Sequence, residues 1–264
     1  MLIVIKESSK DVGCEAARIV ANSLRANPKI VLGLATGSTP LGMYQELIAL
    51  HKSQGLDFSQ ATSFNLDEYL GLTPDNPQSF QYFMHCNFFD HVNFSAERIH
   101  IPSGALRQNY STYCEEYETS IKQAGGIDLQ VLGIGRNGHI GFNEPNSSLA
   151  SRTRLKELTQ ETIEDNRRFF PKDADIPECA ITMGIGTILE TRRILILATG
   201  QSKAAAVAKA IEGPISASVS ASALQLHPDV VFILDEEAAY ALTQRDYYRR
   251  VLELTKRYTP EKLQ

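Results

Sequence analysis

Apolar runs of strand length punctuate the chain almost from end to end: LIVI near the start, then KIVLGLA, ATSFNL, DLQVLGIG, ECAITM, RILILA and DVVFIL. These runs lack polar alternation, which predicts strands covered on both faces. Between them, stretches such as SKDVGCEAARIVANSLRAN and PLGMYQELIALHKSQ repeat apolar residues at spacings of three and four, as a helix with one buried face does. Strand and helix in alternation predict a single doubly wound, mostly parallel α/β sheet with helices on both faces. No Gly/Ser-rich linker or charge block divides the 264 residues, so the pattern predicts one domain over 1–264. The least regular stretch, 143–177, is polar and carries Pro171 and Pro177 late. It reads as a helical lid around 150–177 or as a long surface excursion.

Composition narrows the function classes. With 43% hydrophobic and 22% charged residues the chain has the make-up of an ordinary globular protein with a buried core. Its apolar runs fall far short of the roughly 20 residues a bilayer span needs, and MLIVIKESSK turns polar too soon for a secretion signal. No membrane partner and a cytoplasmic location are expected. The four cysteines, Cys14, Cys86, Cys114 and Cys179, have no metal-ligand spacing. A net charge of −5, without a Lys/Arg stripe, gives no footprint for nucleic acid. An anionic ligand must therefore be caught by local features.

Several candidates for such features fall at strand ends, where open α/β sheets bind their ligands. TGSTP, residues 36–40, joins a strand to a helix, with Gly37 allowing close approach, hydroxyls at Ser38 and Thr39, and a proline suited to the first helical turn. Free N–H groups there suit a phosphate; the alternative is that Ser38 merely caps the helix. A second turn, TGQSKA, repeats the Thr-Gly pattern and adds Lys203 at a helix start, where the helix dipole would favour an acid. That misplaced cation points to an anionic ligand.

In NLDEYLG, Asp67 and Glu68 follow a strand, and adjacent residues on an extended turn point apart, so one of them is expected to face the site. It would be a general base, or the pair serves turn and N-cap chemistry. GIGRNGHIGFNEP, residues 133–145, sets His139, the side chain that titrates nearest neutrality, among four glycines. Glu144 lies five residues on and could orient and charge the ring. The third glycine is out of register for a dinucleotide fingerprint, so no nucleotide cofactor is indicated. His85 and His91 are six apart, off one helix face, and read as packing rather than as metal ligands. Arg167 and Arg168 read as solvated charges or as anion clamps.

Together these segments resemble glucosamine-6-phosphate deaminases. GLATGSTPLGMY, FNLDEYLGL, FMHCNFFDHV, GIGRNGHIGFNEPNSSLASRTRLK and LQLHP are similar to that family's signatures in the same order, over nearly the whole length. The resemblance implies a Rossmann-like fold of the sugar-phosphate isomerase type. It implies conversion of glucosamine 6-phosphate and water to fructose 6-phosphate and ammonia, in amino-sugar catabolism, with neither metal nor organic cofactor. By position it implies Asp67 as the proton-transferring base, His139 as the ring-opening residue, Glu144 as its carboxylate partner and Asn137 as an assistant in ring opening. Because Asn137 is an amide, the charge that favours imidazolium falls to Glu144. Gly37, Ser38, Thr39, Arg168 and Lys203 match positions that hold the substrate phosphate. Ser147, Arg154 and Lys156 match an allosteric site for N-acetylglucosamine 6-phosphate. The expected partner is a small-molecule sugar phosphate, and the resemblance leaves monomer and homo-oligomer both open. The alternatives are a 6-phosphogluconolactonase-like hydrolase, which needs no C2 base, and a non-catalytic sugar-phosphate sensor.

Overall fold

The computed structural model describes residues 1–106, 108–172 and 174–260. In chain order the elements are β1 (Leu2–Lys6), α1 (Ser9–Ala26), β2 (Val31–Leu34), α2 (Leu41–Gln54), β3 (Thr62–Asn65), β4 (Asp67–Tyr69), α3 (Phe80–Asn87), β5 (Ile99–His100), α4 (Tyr110–Gln123) and β6 (Leu129–Leu132). There follow β7 (Arg154–Glu157), α5 (Gln160–Asn166), β8 (Cys179–Thr182), α6 (Ile185–Leu189), β9 (Arg193–Ala198), α7 (Ala204–Ile211), β10 (Val230–Asp235) and α8 (Arg245–Tyr258).

Seven strands form one parallel sheet in the order β1-β10-β9-β6-β2-β3-β5. Its inner strands β2, β6, β9 and β10 are buried on both faces, as their unbroken apolar runs predict, while the edge strand β5 is half-buried. One core packs Val12, Ile19, Met43, Leu47, Met84 and their neighbours, from α1, α2 and α3, onto one face of the sheet. The other packs Tyr117, Ile121, Ile188, Val207 and Ile211, from α4, α6 and α7, onto the opposite face. From β2 the chain winds outward through β3 to β5, and from β6 it winds the other way through β9 to β10. The winding therefore reverses between β2 and β6, and ligands bind outside the carboxyl ends of strands at such a reversal. The loops leaving β2 and β6 are TGSTP and GIGRNGHIGFNEP.

Three strands lie outside this sheet. β4, β8 and β7 form a small antiparallel sheet with Asp67 opposite Thr182, and Thr182 opposite Arg154. ECAITM is thus not a strand of the parallel sheet, and the seventh place goes to the two-residue β5. The apolar run records burial, which both sheets share, and not which sheet it joins. Met183 N–H donates to the Leu66 carbonyl at 2.7 Å, tying the small sheet to the carboxyl edge of the large one. The expected helical lid at 150–177 is likewise half strand: RLKE pairs with β8 as β7, and the helical part is α5 followed by a 3-10 turn over Arg167–Phe169. Asp173 lies outside the described residues, as do 261–264 of the C-terminal segment.

Glu118 of α4 fastens the small sheet in place. It is 7% exposed and accepts from Thr153 N–H at 2.8 Å, Thr153 Oγ1 at 2.5 Å, Thr187 Oγ1 at 2.5 Å and the Arg152 guanidinium. Burial works to raise its carboxyl pKa, but these donors outweigh that and hold it low. Glu118→Ala strands four donors and should lower the unfolding free energy by about 3 kcal/mol. Glu118→Gln, which keeps one acceptor, should cost less. Urea titration of the two variants checks the order, and equal stabilities would remove Glu118 from this role.

Candidate functional site

The two strand ends at the winding reversal supply different chemistry. After β2, Gly37 has φ +95° and the 36–39 turn is open, with Ser38 exposed. Helix α2 begins after Pro40 with no side-chain cap on its first N–H groups. Ser38 therefore does not cap the helix, and donors at its start are left for a ligand. Tyr44, fully buried, donates its hydroxyl to the Ala35 carbonyl at 2.6 Å and fixes the turn from below.

After β9, a matching turn is held by Asp235 at the end of β10, whose carboxylate accepts from Gly200 N–H at 3.0 Å and Ala238 N–H at 2.8 Å. This turn carries Lys203, on a 3-10 turn leading into α7. Lys203 makes no ion pair among the described residues. Burial is the main influence lowering its pKa; Asp165 opposes the shift, while Arg168 and Arg136 add to it. Arg168 is exposed, its guanidinium 4.7 Å from the Phe169 ring centre. The predicted phosphate cations thus share one field, and two residues the sequence did not single out, Arg136 and Asp165, belong to it.

The loop after β6 folds over its own histidine. A Cβ on Gly135 would lie 2.3–2.5 Å from the His139 ring, so the ring packs flat on a backbone that only glycine permits. One on Gly141 would lie 2.9 Å from Thr182 Oγ1 and 3.4 Å from Asp67 Oδ2, so the same loop also passes against Asp67. Asn143, fully buried, anchors the turn by donating to the Ile140 and Met183 carbonyls at 2.9 and 2.8 Å. Ser220 braces it from behind, donating to the Asn143 carbonyl at 2.6 Å.

The histidine has one assignable tautomer. Asn137 Oδ1 accepts from the His139 backbone N–H at 3.1 Å, which fixes that atom as oxygen, and lies 2.8 Å from His139 Nδ1. Nδ1 must then carry the proton, leaving Nε2 bare as the base when the ring is neutral. Asn137 Nδ2 donates to Glu144 Oε2 at 3.1 Å, and Nδ1 is itself 3.5 Å from that oxygen. The amide therefore stands between ring and carboxylate and is the nearer partner. Glu144 does not orient the ring unaided. Burial would raise the Glu144 pKa, but hydrogen bonding and charge from His139, with hydrogen bonds from Thr162 and Asn137, bring it down to about 2. It stays ionised throughout the working range.

Asp67 and Glu68 divide as their spacing predicts. Glu68 turns away and accepts from Tyr69, Phe80 and Gln81 N–H at 2.8–2.9 Å, which ties down the start of α3. Asp67 is 6% exposed, and its carboxylate has no hydrogen-bond partner among the described residues. Burial, with the Glu68 charge beside it, pushes its carboxyl up to about 8. Tyr69, two residues along β4, packs with Phe80 and Phe142, the ring centroids 4.8–5.9 Å apart.

The matched allosteric positions fall on two segments. Arg154 and Lys156 lie on one face of β7, Arg154 donating to Asn143 Oδ1 at 2.9 Å and Lys156 pairing with Glu157 at 3.3 Å. Ser147 follows the histidine loop, its hydroxyl buried without a hydrogen-bond partner among the described residues. His85 pairs with Asp90 at 2.8 Å and His91 reaches the Cys86 carbonyl. Neither histidine meets the site.

A family model described as glucosamine-6-phosphate isomerases/6-phosphogluconolactonase matches residues 6–232. The chain belongs to that family. It is 52% identical over 251 residues to a glucosamine-6-phosphate deaminase of Shewanella loihica, covering 95% of this chain and 93% of the relative. It is 48% identical over 246 residues to that of Thermoanaerobacter pseudethanolicus, covering 93% and 97%. Among solved structures, a monomeric glucosamine-6-phosphate deaminase superposes with a TM-score of 0.89 at 45% identity, covering 91% of this chain and all of the other. The 6-phosphogluconolactonase of Trypanosoma brucei, at 18% identity and TM-score 0.72 over 92% and 98%, shares the fold.

For this family member the buried carboxyl has a thermodynamic signature. With a folded-state value near 8 and an ordinary unfolded one, Asp67 favours the fold at pH 4, and that contribution is lost as the pH rises through about 8. Asp67→Asn should therefore raise the melting temperature, and by more at pH 9 than at pH 5. A melting temperature that falls equally at both values would show that the carboxylate is accommodated after all.

Proposed function

We propose that this chain is a cytoplasmic glucosamine-6-phosphate deaminase, which opens the sugar, shifts a proton from C2 to C1 and releases ammonia by hydrolysis. The observation that carries the reading is Asp67: a buried carboxylate with no partner of its own, against the loop that holds a histidine in a defined tautomer. A fold gains nothing from such a group, so a ligand is its natural complement.

The chemistry follows from the geometry. The cyclic sugar has no acidic C2 hydrogen until its ring opens to the aldehyde. His139 Nε2 takes the proton of the anomeric hydroxyl and returns it to the ring oxygen, while Asn137 and Glu144 hold the ring and stabilise its cationic form. The substrate's own ammonium group at C2 then favours ionisation of Asp67. Asp67 removes the C2 proton and delivers it to C1, two neighbouring carbons that one base can serve. Water adds to the resulting 2-imine, ammonia departs, and fructose 6-phosphate remains. The phosphate is held by the N–H groups and hydroxyls at Gly37, Ser38 and Thr39, with Lys203 and Arg168 supplying charge. A lactonase needs no base at C2 and gives Asp67 no task.

The relatives' names and the close structural likeness support this substrate, and the monomeric neighbour supports a monomer. Activation by N-acetylglucosamine 6-phosphate through Ser147, Arg154 and Lys156 remains part of the proposal and is read in the same assay. Ammonia release from glucosamine 6-phosphate should be robust. It should fall at least ~10²-fold in kcat for Asp67→Asn with KM nearly unchanged. For Lys203→Ala, KM should rise about ten- to a hundredfold, the loss of one charge-assisted hydrogen bond. Hydrolysis of 6-phosphogluconolactone without ammonia release from the amino sugar would overturn the assignment.

A further inference from the structure

Helix α5 is fastened to the histidine loop at both ends. At its start, Thr159 N–H donates to Glu144 Oε1 at 3.4 Å, and the Thr159 hydroxyl bonds to that of Thr162 at 3.1 Å. At its end, Asp165 receives a two-pronged ion pair from Arg136, with Nε to Oδ2 at 2.8 Å and Nη2 to Oδ1 at 2.5 Å. Arg136 immediately precedes Asn137, and Asp165 stands three residues before Arg168. The segment that carries a phosphate cation is thus joined to the loop that carries the acid/base residue. Lys203, Arg168 and Arg136 make three cations in one field, and Asp165 is the carboxylate that tempers them.

We propose that Asp165 is a positioning residue, and that the Arg136–Asp165 pair is a latch coupling capture of the 6-phosphate to the placement of His139. The proposal rests on the deaminase reading. A planar guanidinium gripping a carboxylate by two bonds sets a direction as well as a distance, so it can fix α5 relative to the loop where a single contact could not. Its charge has a second effect. Without Asp165 the cluster carries one more net positive charge, and a bare phosphate should bind it better. The carboxylate thus gives up some phosphate affinity in return for alignment of the sugar, so that binding strengthens productive rather than indiscriminate capture.

The two effects pull apart in one experiment. In Asp165→Asn, calorimetry with inorganic phosphate should show about two- to fivefold tighter binding, the scale of a partly exposed charge. The kcat for ammonia release from glucosamine 6-phosphate should fall about tenfold, a misalignment effect. The exchanged pair, Arg136→Asp with Asp165→Arg, should recover most of the lost kcat. A merely structural role predicts weaker phosphate binding and a lower melting temperature together, with no recovery on exchange. Either that pattern or an unchanged kcat in Asp165→Asn overturns the latch. If the unaltered protein releases no ammonia, the deaminase reading fails, and the phosphate titration alone then decides whether Asp165 tempers the cluster.

Discussion

A carboxylate that the fold leaves without a partner is the constraint on which the rest of this structure depends. Asp67 sits at a corner where the parallel sheet ends and the small antiparallel sheet begins, largely buried and with Glu68 beside it. Among the described residues no hydrogen bond or ion pair offsets the cost of ionising it. The surrounding elements are arranged so that a substrate can: β3 and β4 bring it to the carboxyl edge, the aromatic cluster of Tyr69, Phe80 and Phe142 packs at β4, and Gly141 lets the histidine loop pass within reach. Glu68 accepts from its neighbour Tyr69 N–H and from two N–H groups at the start of α3, and is thereby turned away from Asp67.

Around that corner two carboxylates are shifted in opposite directions. Asp67 is pushed up to about 8, and Glu144, equally buried from solvent, is brought down to about 2 by His139, Thr162 and Asn137. In the proposed reaction one is a base that a ligand switches on, the other an anion that supports an imidazolium. Separating two carboxyl groups in this way divides proton removal from charge stabilisation. Asn137 completes the division. Its amide oxygen fixes the proton on Nδ1 and its amide nitrogen spans to Glu144, so the ring is oriented by a neutral group while the charge sits one step back.

Much of this was legible in the sequence, for identifiable reasons. Unbroken apolar runs marked the strands because a sheet covered on both faces has no polar positions to spare. The turns at 36–40 and 199–203, the histidine loop and the Asp67–Glu68 pair announced themselves because glycine and misplaced charge have few structural excuses. Other features leave no local mark. The ECAITM run predicts a strand of the parallel sheet because burial alone does not name a strand's neighbours, and β7 lies inside the predicted helical lid because RTRLKE is polar. The Arg136–Asp165 pair joins residues 29 apart, and no local pattern marks such a partner. Asn143 and Ser220 brace the histidine loop by the same kind of long-range bond. The order of partners on His139 also needed coordinates, since sequence chemistry favoured the carboxylate and the geometry interposes the amide.

The central claim is that the protein keeps Asp67 protonated near neutral pH until a ligand arrives. Carbon-13 NMR of protein labelled at aspartate carboxyl groups tests it directly, with Asp67→Asn identifying the resonance. The account predicts that this signal titrates near pH 8 in the free protein and shifts to lower pH on addition of glucosamine 6-phosphate to a slow variant such as His139→Gln. A carboxyl titrating near pH 4 in the free protein, unmoved by ligand, would contradict it.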